Sequence, residues 1–271
     1  MAPIVHWHHF GTICLGYAEE DPVLRSLKDL EHYKVYATDG DVGSVANFLF
    51  DDEHWTIRYL VVKTGSFLNE RRVLISPISF REIDWAAGRF HVALTIDKVK
   101  NSPDVDVDRP VSRRHERDYY GYYGWPYYWG AWINPTAADY EAPGDGHLRS
   151  AQEVRGYHIQ GRDDSIGNVD DFIVDDETWR IHYLVVDTGN WWLGKKVLVA
   201  PQWAKSVSWE ERNVHVSLSR QAIKDCPEWD PYAAVNRQYE IRLYDYYGRP
   251  AYWESGVGPE MAPPVGPRHG S

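Results

Sequence analysis

The amino-acid sequence predicts an all-β protein made of two tandem, small six-stranded β-barrels with short capping helices and aromatic-rich connecting segments. Three observations predict this fold class. The sequence repeats itself at an offset of 124 residues, each copy holds six short strand-like runs, and an aromatic segment follows each copy. Strands this short are not stable in isolation, so we expect each copy to close, or nearly close, into a barrel.

The repeat aligns residues 33–65 with residues 157–189 without a gap. Beyond this block, Pro77 meets Pro201 and Trp85 meets Trp209 at the same offset. A register held over a whole module indicates a duplicated domain, and its period is too long for a solenoid unit. We therefore expect each copy to have its own core.

Six runs of strand-forming residues follow one another in the first copy. They are expected at residues 34–37, 44–51, 56–64, 72–76, 78–85 and 89–94. Gly40 and Gly43 supply turn residues before the second run, and Pro77 ends the fourth. The third run, TIRYLVVKT, is rich in β-branched and aromatic residues and is the strongest strand prediction.

Helices are expected to be brief. Ser26 and Ser150 are each followed three residues later by an acidic residue, the spacing of a capping box. Residues 95–101 and 219–225 are predicted to form one or two helical turns that end before a proline.

The expected organisation has five parts. They are an N-terminal extension (1–24), a first barrel (25–108), an aromatic connector (109–147), a second barrel (148–232), and an aromatic segment with a Gly/Pro-rich tail (233–271). Few apolar residues occur in that tail, so we expect it to be disordered.

Composition excludes several classes of protein. Lys plus Arg number 29 against 40 for Asp plus Glu, giving a net charge of −11, which argues against nucleic acid as the main partner. Cys14 and Cys226 are expected to be free thiols in a reducing compartment. No apolar run reaches 18 residues, so we expect no spanning helix and a cytoplasmic protein. Peripheral association with the inner membrane and homo-oligomerisation both stay open.

Two segments carry a family resemblance. The run DGDVGSVANFLFDDEHWTIRYLVVKTG, followed by RRVLISP, and the run DDSIGNVDDFIVDDETWRIHYLVVDTG, followed by KKVLVAP, resemble the PRC-barrel family. That domain is similar to the barrel of the photosynthetic reaction-centre H subunit and to the C-terminal domain of RimM. The resemblance covers roughly residues 27–104 and 151–228. It implies small six-stranded barrels that dock other proteins, with no catalytic centre and no cofactor.

The sequence departs from both of those relatives. The H subunit carries an N-terminal membrane-spanning helix, whereas RimM joins its barrel to a different N-terminal domain and acts on a ribosomal partner. This chain has a second barrel in that place and a net negative charge. A link to photosynthesis or to the ribosome would therefore rest on analogy of fold alone.

Acidic triplets recur at residues 51–53 and 175–177. One interpretation is a weak contact with a divalent cation or a basic partner. The favoured one is a polar turn that protects a sheet edge, since three neighbouring acids do not enclose an ion.

Histidines form two further sets. His6, His8 and His9 have the chemistry of transition-metal ligands but no carboxylate ligand nearby, so a flexible start is favoured over a metal site. His91 and His215 recur in the sixth run and are expected to be barrel residues whose ring nitrogens are hydrogen-bonded, not catalytic bases.

No nucleophile elbow, phosphate-binding loop or zinc-protease motif occurs in the sequence. We therefore expect no enzyme activity and predict no catalytic, cofactor-binding or metal-binding residue.

The aromatic segment at residues 119–132 holds nine aromatic residues in fourteen, and it recurs around residues 246–253. Its glycines and proline are expected to prevent a regular helix. If exposed, these rings would bind a partner, stack on sugars or lie at a membrane interface. Because the segment recurs, the favoured interpretation is that each copy of it covers a barrel face.

These observations favour a non-catalytic adaptor whose barrels dock a protein partner. The alternative is a small-ligand or glycan-binding protein that uses the Tyr/Trp-rich segments. The candidate partner-binding residues are Phe67, Leu68, Trp125, Tyr128, Trp129, Trp191 and Trp192.

Overall fold

The computed structural model describes residues 23–64, 71–103, 111–129, 146–189 and 195–254. The chain alternates short strands with brief helices, as the turn-rich sequence requires, and the two copies carry matching elements. The N-terminal histidines, Cys14 and the Gly/Pro-rich tail lie outside the described residues.

The elements of the first copy follow the predicted order. They are β1 (Leu24–Ser26), α1 (Leu27–Leu30), β2 (Lys34–Ala37), β3 (Gly40–Asp51), β4 (Thr56–Thr64), β5 (Arg72–Ile75), a 3₁₀ turn (Pro77–Ser79), β6 (Phe80–Asp84), β7 (Arg89–Val92), α2 (Ile96–Lys100), β8 (Val111–Ser112) and α3 (Arg113–Tyr123).

The second copy repeats this order, except that its described residues include no strand equivalent to β8. Its elements are β9 (Gly146–Ser150), α4 (Ala151–Val154), β10 (His158–Gln160), β11 (Ser165–Asp175), β12 (Ile181–Asp187), β13 (Lys196–Val199), a 3₁₀ turn (Pro201–Trp203), β14 (Ala204–Ser208), β15 (Asn213–Val216), α5 (Arg220–Lys224) and α6 (Arg237–Tyr247).

Each copy builds its sheet along one path of six strands. The order is β5-β4-β3-β2-β7-β6 in the first copy and β13-β12-β11-β10-β15-β14 in the second. Pairing is antiparallel except at β2–β7 and β10–β15. Within the described residues the two end strands of a path are not paired, so the closed barrel expected from the sequence is not observed. Additional strands bring the sheets to eight and seven strands.

Three details of the sequence prediction were wrong. The strand predicted at residues 78–85 is Phe80–Asp84, because Pro77–Ser79 form a 3₁₀ turn. The second strand begins at Gly40, not at residue 44, because the turn residues already pair with β2. Residues 113–123 form a regular helix although Gly121 lies within it. An added Cβ at Gly121 would meet nothing within 4 Å, and buried Tyr119 and Tyr120 hold the helix against the sheet. Tertiary packing thus outweighs the poor helix propensity of glycine here.

Glycine is required where β3 lies against the end of its antiparallel partner β4, and where β11 lies against the end of β12. A Cβ on Gly43 would lie 2.0 Å from the carbonyl oxygen of Lys63, and one on Gly167 would lie 2.0 Å from that of Asp187. Neither position has room for a side chain. This close backbone approach explains why the glycine recurs in both copies.

The two copies exchange their first strands. Strand β1 pairs with β11 of the second copy, with Leu24 opposite Asp175 and Ser26 opposite Ile173. Strand β9 pairs in the same way with β3 of the first copy. Residues that pair between β1 and β11 are equivalent, at the offset of 124, to those that pair between β9 and β3. The copies are therefore related by a pseudo-twofold axis with reciprocal strand exchange.

Polar contacts hold each exchanged strand in place. The Arg25 Nε lies 2.7 Å from Asp176 Oδ2, and the equivalent Arg149 Nε lies 2.8 Å from Asp52 Oδ2. The side chains of Asn47 and Asp171 accept hydrogen bonds from backbone N–H groups at the start of the other copy's helix α4 or α1. The exchange is therefore fixed by charge and capping as well as by backbone pairing.

One hydrophobic cluster runs through both copies. Phe50 packs 5.7 Å from Phe172 of the other copy, and the ring of Trp179 lies 5.3 Å from Phe80 and 6.0 Å from Phe90, between ring centroids. The expectation that each copy has its own core was wrong, because the exchanged strands bring the cores together. The boundaries expected from the sequence stay a prediction.

Candidate interaction surface

Two aromatic covers lie on the outer faces of the sheets. The first cover is α3 with residues 124–129, and the second is α6 with residues 248–254. Each helix has an N-cap side chain, Ser112 or Asn236, that accepts a hydrogen bond from a backbone N–H in the first turn. Each ends at a glycine in the left-handed region, Gly124 with φ 73° and Gly248 with φ 58°, which turns the aromatic segment back over the sheet.

The first cover packs on residues of β3, β4 and β5. Leu49, Tyr59, Val61 and Leu74 form a second cluster with Tyr119 and Tyr120 of the helix. The inward residues of β4 belong to the main core, so this strand is buried on both faces. That explains its nearly continuous hydrophobic sequence.

A carboxylate is buried under the first cover. Glu116 is 1% exposed and accepts hydrogen bonds from Tyr59 at 3.2 Å, Tyr128 at 2.9 Å and Arg113 at 3.2 Å. The Nε2 of His147, on the exchanged strand β9, lies 2.7 Å from the same carboxylate. These contacts tie helix, aromatic segment, sheet and the other copy together.

The second cover repeats this network. Glu240 accepts hydrogen bonds from Tyr183 at 2.7 Å, Tyr252 at 2.9 Å and Arg237 at 2.8 Å. Sequence reasoning missed both glutamates because a glutamate on a short helix is usually exposed. The available signal was the Arg-x-x-Glu spacing at residues 113–116, repeated at 237–240.

Burial raises the pKa of the tyrosines in these networks. Desolvation and then the neighbouring Glu116 raise the pKa of Tyr59 and Tyr128 well above the usual range, and Glu240 adds to the effect of burial at Tyr183. Burial raises the pKa of Tyr120 to about 12. The networks therefore hold neutral phenols that donate to a carboxylate.

These shifts predict alkaline unfolding. A phenol whose pKa is higher in the folded state adds stability that is complete below the usual tyrosine pKa of about 10 and is lost as pH rises above it. We expect phenolate absorbance from the cover tyrosines to appear together with loss of circular dichroism above about pH 10–11. The same titration in concentrated urea should show a simple rise near pH 10. Reversible ionisation of these tyrosines in a chain that keeps its fold would contradict the raised pKa of the buried phenols.

The sequence-predicted Trp125, Tyr128 and Trp129 all belong to the first cover and are half-buried. Trp125 stacks on Tyr123 with 4.3 Å between ring centroids, and Trp129 packs 5.4 Å from Tyr120. The described part of the segment, residues 119–129, covers a face of the sheet, as the favoured interpretation expects apart from the closed barrel. Phe67, Leu68, Trp191 and Trp192 lie outside the described residues.

The covers differ on their outer surfaces. Tyr127 in the first cover is 36% exposed, and its ring lies 4.9 Å from that of Trp129. The equivalent of Tyr127 in the second cover is Ala251, which is 6% exposed, and the equivalent of Trp125 is Arg249. At these two positions the first cover therefore presents aromatic rings where the second cover has an arginine and a buried alanine.

In each acidic triplet, the first aspartate stabilises the turn by accepting hydrogen bonds from the turn backbone. Asp51 accepts backbone hydrogen bonds from Glu53 at 2.9 Å and His54 at 3.2 Å, and a side-chain bond from Arg58 at 3.1 Å. Burial alone would raise the pKa of Asp51, but Arg58 and the two N–H donors outweigh it and lower the pKa. Asp175 makes the same backbone contacts with Glu177 and Thr178.

Potential metal ligands do meet at the first of these turns. Ligand atoms of Asp51, Glu53 and His54 lie within 4.8 Å of one another. The Asp51 carboxylate already accepts hydrogen bonds from Arg58 and from the turn backbone, which makes this a poorly suited cation site.

His91 and His215 are both half-buried, and the ring of His91 stacks on that of Tyr36 with 5.5 Å between ring centroids.

A polar cleft of about 350 Å³ lies in the second copy. His158, Asp164, Asn168 and Arg220 contribute to its wall, and no aromatic residue of either cover does.

Cys226 is a buried free thiol whose pKa is raised by burial. No helix in the described parts of the chain combines the length and apolar character needed to span a bilayer.

Comparison with known proteins agrees with this architecture. The family model for the PRC-barrel domain matches residues 22–97 and 147–220, more than half of the chain. A protein of Deinococcus radiodurans described as uncharacterized is 36% identical over 74 residues, which cover 27% of this chain and 25% of that protein. The chain thus spans about a quarter of the length of this relative. On the two family matches, this chain belongs to the PRC-barrel domain family and contains the domain twice.

Proposed function

We propose that this protein is a non-catalytic adaptor that docks a protein partner through the exposed aromatic surface of its first cover, formed by Trp125, Tyr127 and Trp129. One observation carries the proposal: partly exposed rings occur on this cover where the second cover has Arg249 and the small, buried Ala251. Tyrosine and tryptophan provide large contact areas at low entropic cost, as binding hot spots require.

The arrangement beneath the surface supports docking more than catalysis. Both oxygens of Glu116 are engaged by donors that hold the cover in place. A rigid base reduces the entropy lost when a partner orders the exposed rings. The alternative of a small-ligand or glycan site has less support, because Trp125 and Trp129 pack on neighbouring rings and do not line the cleft near Arg220.

The test is site-specific crosslinking in the native host. A photo-activated phenylalanine analogue replaces Tyr127 in the full-length protein, and a matched protein carries it at Tyr246, which is 41% exposed on α6. We expect a discrete protein adduct from position 127 that is absent from position 246. Soluble and membrane fractions, analysed separately, would show where the partner resides.

A variant that copies the second cover provides the matched loss of function. Trp125→Arg with Tyr127→Ala introduces the residues found at positions 249 and 251, and we expect capture of that partner to fall about tenfold or more, the loss of a single binding hot spot. Tyr246→Ala is the control and should leave capture unchanged. Equal adducts at positions 127 and 246, or undiminished capture by the double variant, would overturn the proposal.

A further inference from the structure

The C-termini of helices α1 and α4 meet at the pseudo-twofold axis. Glu31 caps α1, Arg155 caps α4, and the two positions are equivalent at the offset of 124. The Arg155 Nη1 lies 2.6 Å from Glu31 Oε1, and both side chains are less than one-fifth exposed. Glu31 of the first copy and its equivalent in the second copy, Arg155, thus face each other across the axis.

This placement has a consequence for any symmetric pairing. In a dimer of two first copies, Glu31 would face a second Glu31; in a dimer of two second copies, Arg155 would face a second Arg155. Like charges held this close and partly away from water repel, whereas the mixed pair attracts. Only the pairing of a first copy with a second copy joins opposite charges.

The ion pairs of the exchanged strands do not make this distinction. Leu24, Arg25 and Ser26 of β1 are identical to Leu148, Arg149 and Ser150 of β9. Their ion pairs, Arg25 with Asp176 and Arg149 with Asp52, would form equally well between identical copies. The paired residues of the exchanged strands therefore supply affinity without selecting the partner. Lys28, which lies 2.7 Å from Asp170, adds to the selection of an unlike copy, because the equivalents of these two residues are Gln152 and Ala46.

We propose that Glu31 and Arg155 form a specificity-determining pair through which this strand-exchange interface favours an unlike copy over an identical one. The partner that fits the face around Glu31 is a PRC-barrel copy with a cation at the equivalent position. Asp171 lies 3.7 Å from Arg155 and therefore favours a cation at position 155. The equivalent of Asp171 in the first copy, Asn47, is neutral.

The first test is a charge-swap cycle in the intact, full-length chain. Glu31→Arg and Arg155→Glu each place like charges at the axis and are expected to lower the unfolding temperature by about 4 °C or more. The double variant restores opposite charges, so it should recover more than half of the summed loss. Additive losses in the double variant would overturn the proposal, because they would show no coupling between the two positions.

The second test measures selection directly. Full-length protein with a protease site inserted between residues 130 and 145 is cleaved, unfolded and refolded, and native mass spectrometry counts mixed and identical pairs. We expect mixed pairs to exceed the random ratio about tenfold, each single variant to reduce this excess, and the double variant to restore it. An excess that Glu31→Arg leaves unchanged would overturn the proposal. If the separated halves do not refold, the cycle in the intact chain decides.

Discussion

A chain truncated after residue 129 is expected not to fold as a monomer, although it keeps the whole first copy. Truncation removes β9, which hydrogen-bonds to β3, together with Trp179, which packs between the rings of Phe80 and Phe90. It also removes Arg149, the ion-pair partner of Asp52. Loss of one fully buried tryptophan costs about 3–5 kcal/mol, and a domain is stabilised by only about 5–15 kcal/mol in total. The remaining contacts cannot offset this loss.

Size-exclusion chromatography and thermal unfolding followed by circular dichroism would measure this outcome. The matched control is the chain that ends at residue 254, which keeps every described element and should unfold in one cooperative transition. A folded, monomeric first copy with its own cooperative transition would contradict the exchange and show that the copies are independent domains.

The strands could be predicted from sequence because their signals are local. The β-branched run at residues 56–64 became β4 with the same bounds, and the turn residues around Gly88 separate β6 from β7. The short helices Ile96–Lys100 and Arg220–Lys224 lie within the runs predicted as helical, residues 95–101 and 219–225. Side-chain alternation and turn chemistry act over a few residues, so one sequence is enough to locate them.

The exchange could not be predicted because the duplication conceals it. The residues of β1 and β9 are the same at each position that pairs, so either strand fits the sheet of either copy. Only the tertiary structure decides which sheet receives it. Position 31 and its equivalent 155 do differ, but a glutamate and an arginine at helix ends carry no signal of their meeting.

The candidate surface was predicted in part for a related reason. Aromatic density identified the segment that forms the first cover and that contains Trp125, Tyr128 and Trp129; partner binding by these residues stays a prediction. The carboxylate that anchors it was missed, because a sequence does not show that Glu116 turns inward towards Tyr59. Burying a charge is costly unless several donors meet it, and those donors come from segments far apart in the chain.

Trp179→Ala is expected to destabilise both copies at once, by about 3–5 kcal/mol. Trp179 is 2% exposed and extends from the second copy into the first copy's aromatic cluster at Phe80 and Phe90. Removing its ring leaves a cavity that the surrounding β-sheets cannot collapse to fill. Because the core is continuous, the midpoint of the single unfolding transition should fall without the transition splitting in two.

Trp55→Ala is the matched control, since both tryptophans follow the same acidic turn in the left-handed backbone region, with φ 54° at Trp55 and 60° at Trp179. Any change in backbone strain is therefore shared by the two variants. Trp55 is only half-buried against the same core, so we expect its replacement to cost about 1–2 kcal/mol. Urea unfolding of both variants would measure the difference. Equal losses, or a biphasic curve for Trp179→Ala, would mean that the two copies do not share one cooperative core.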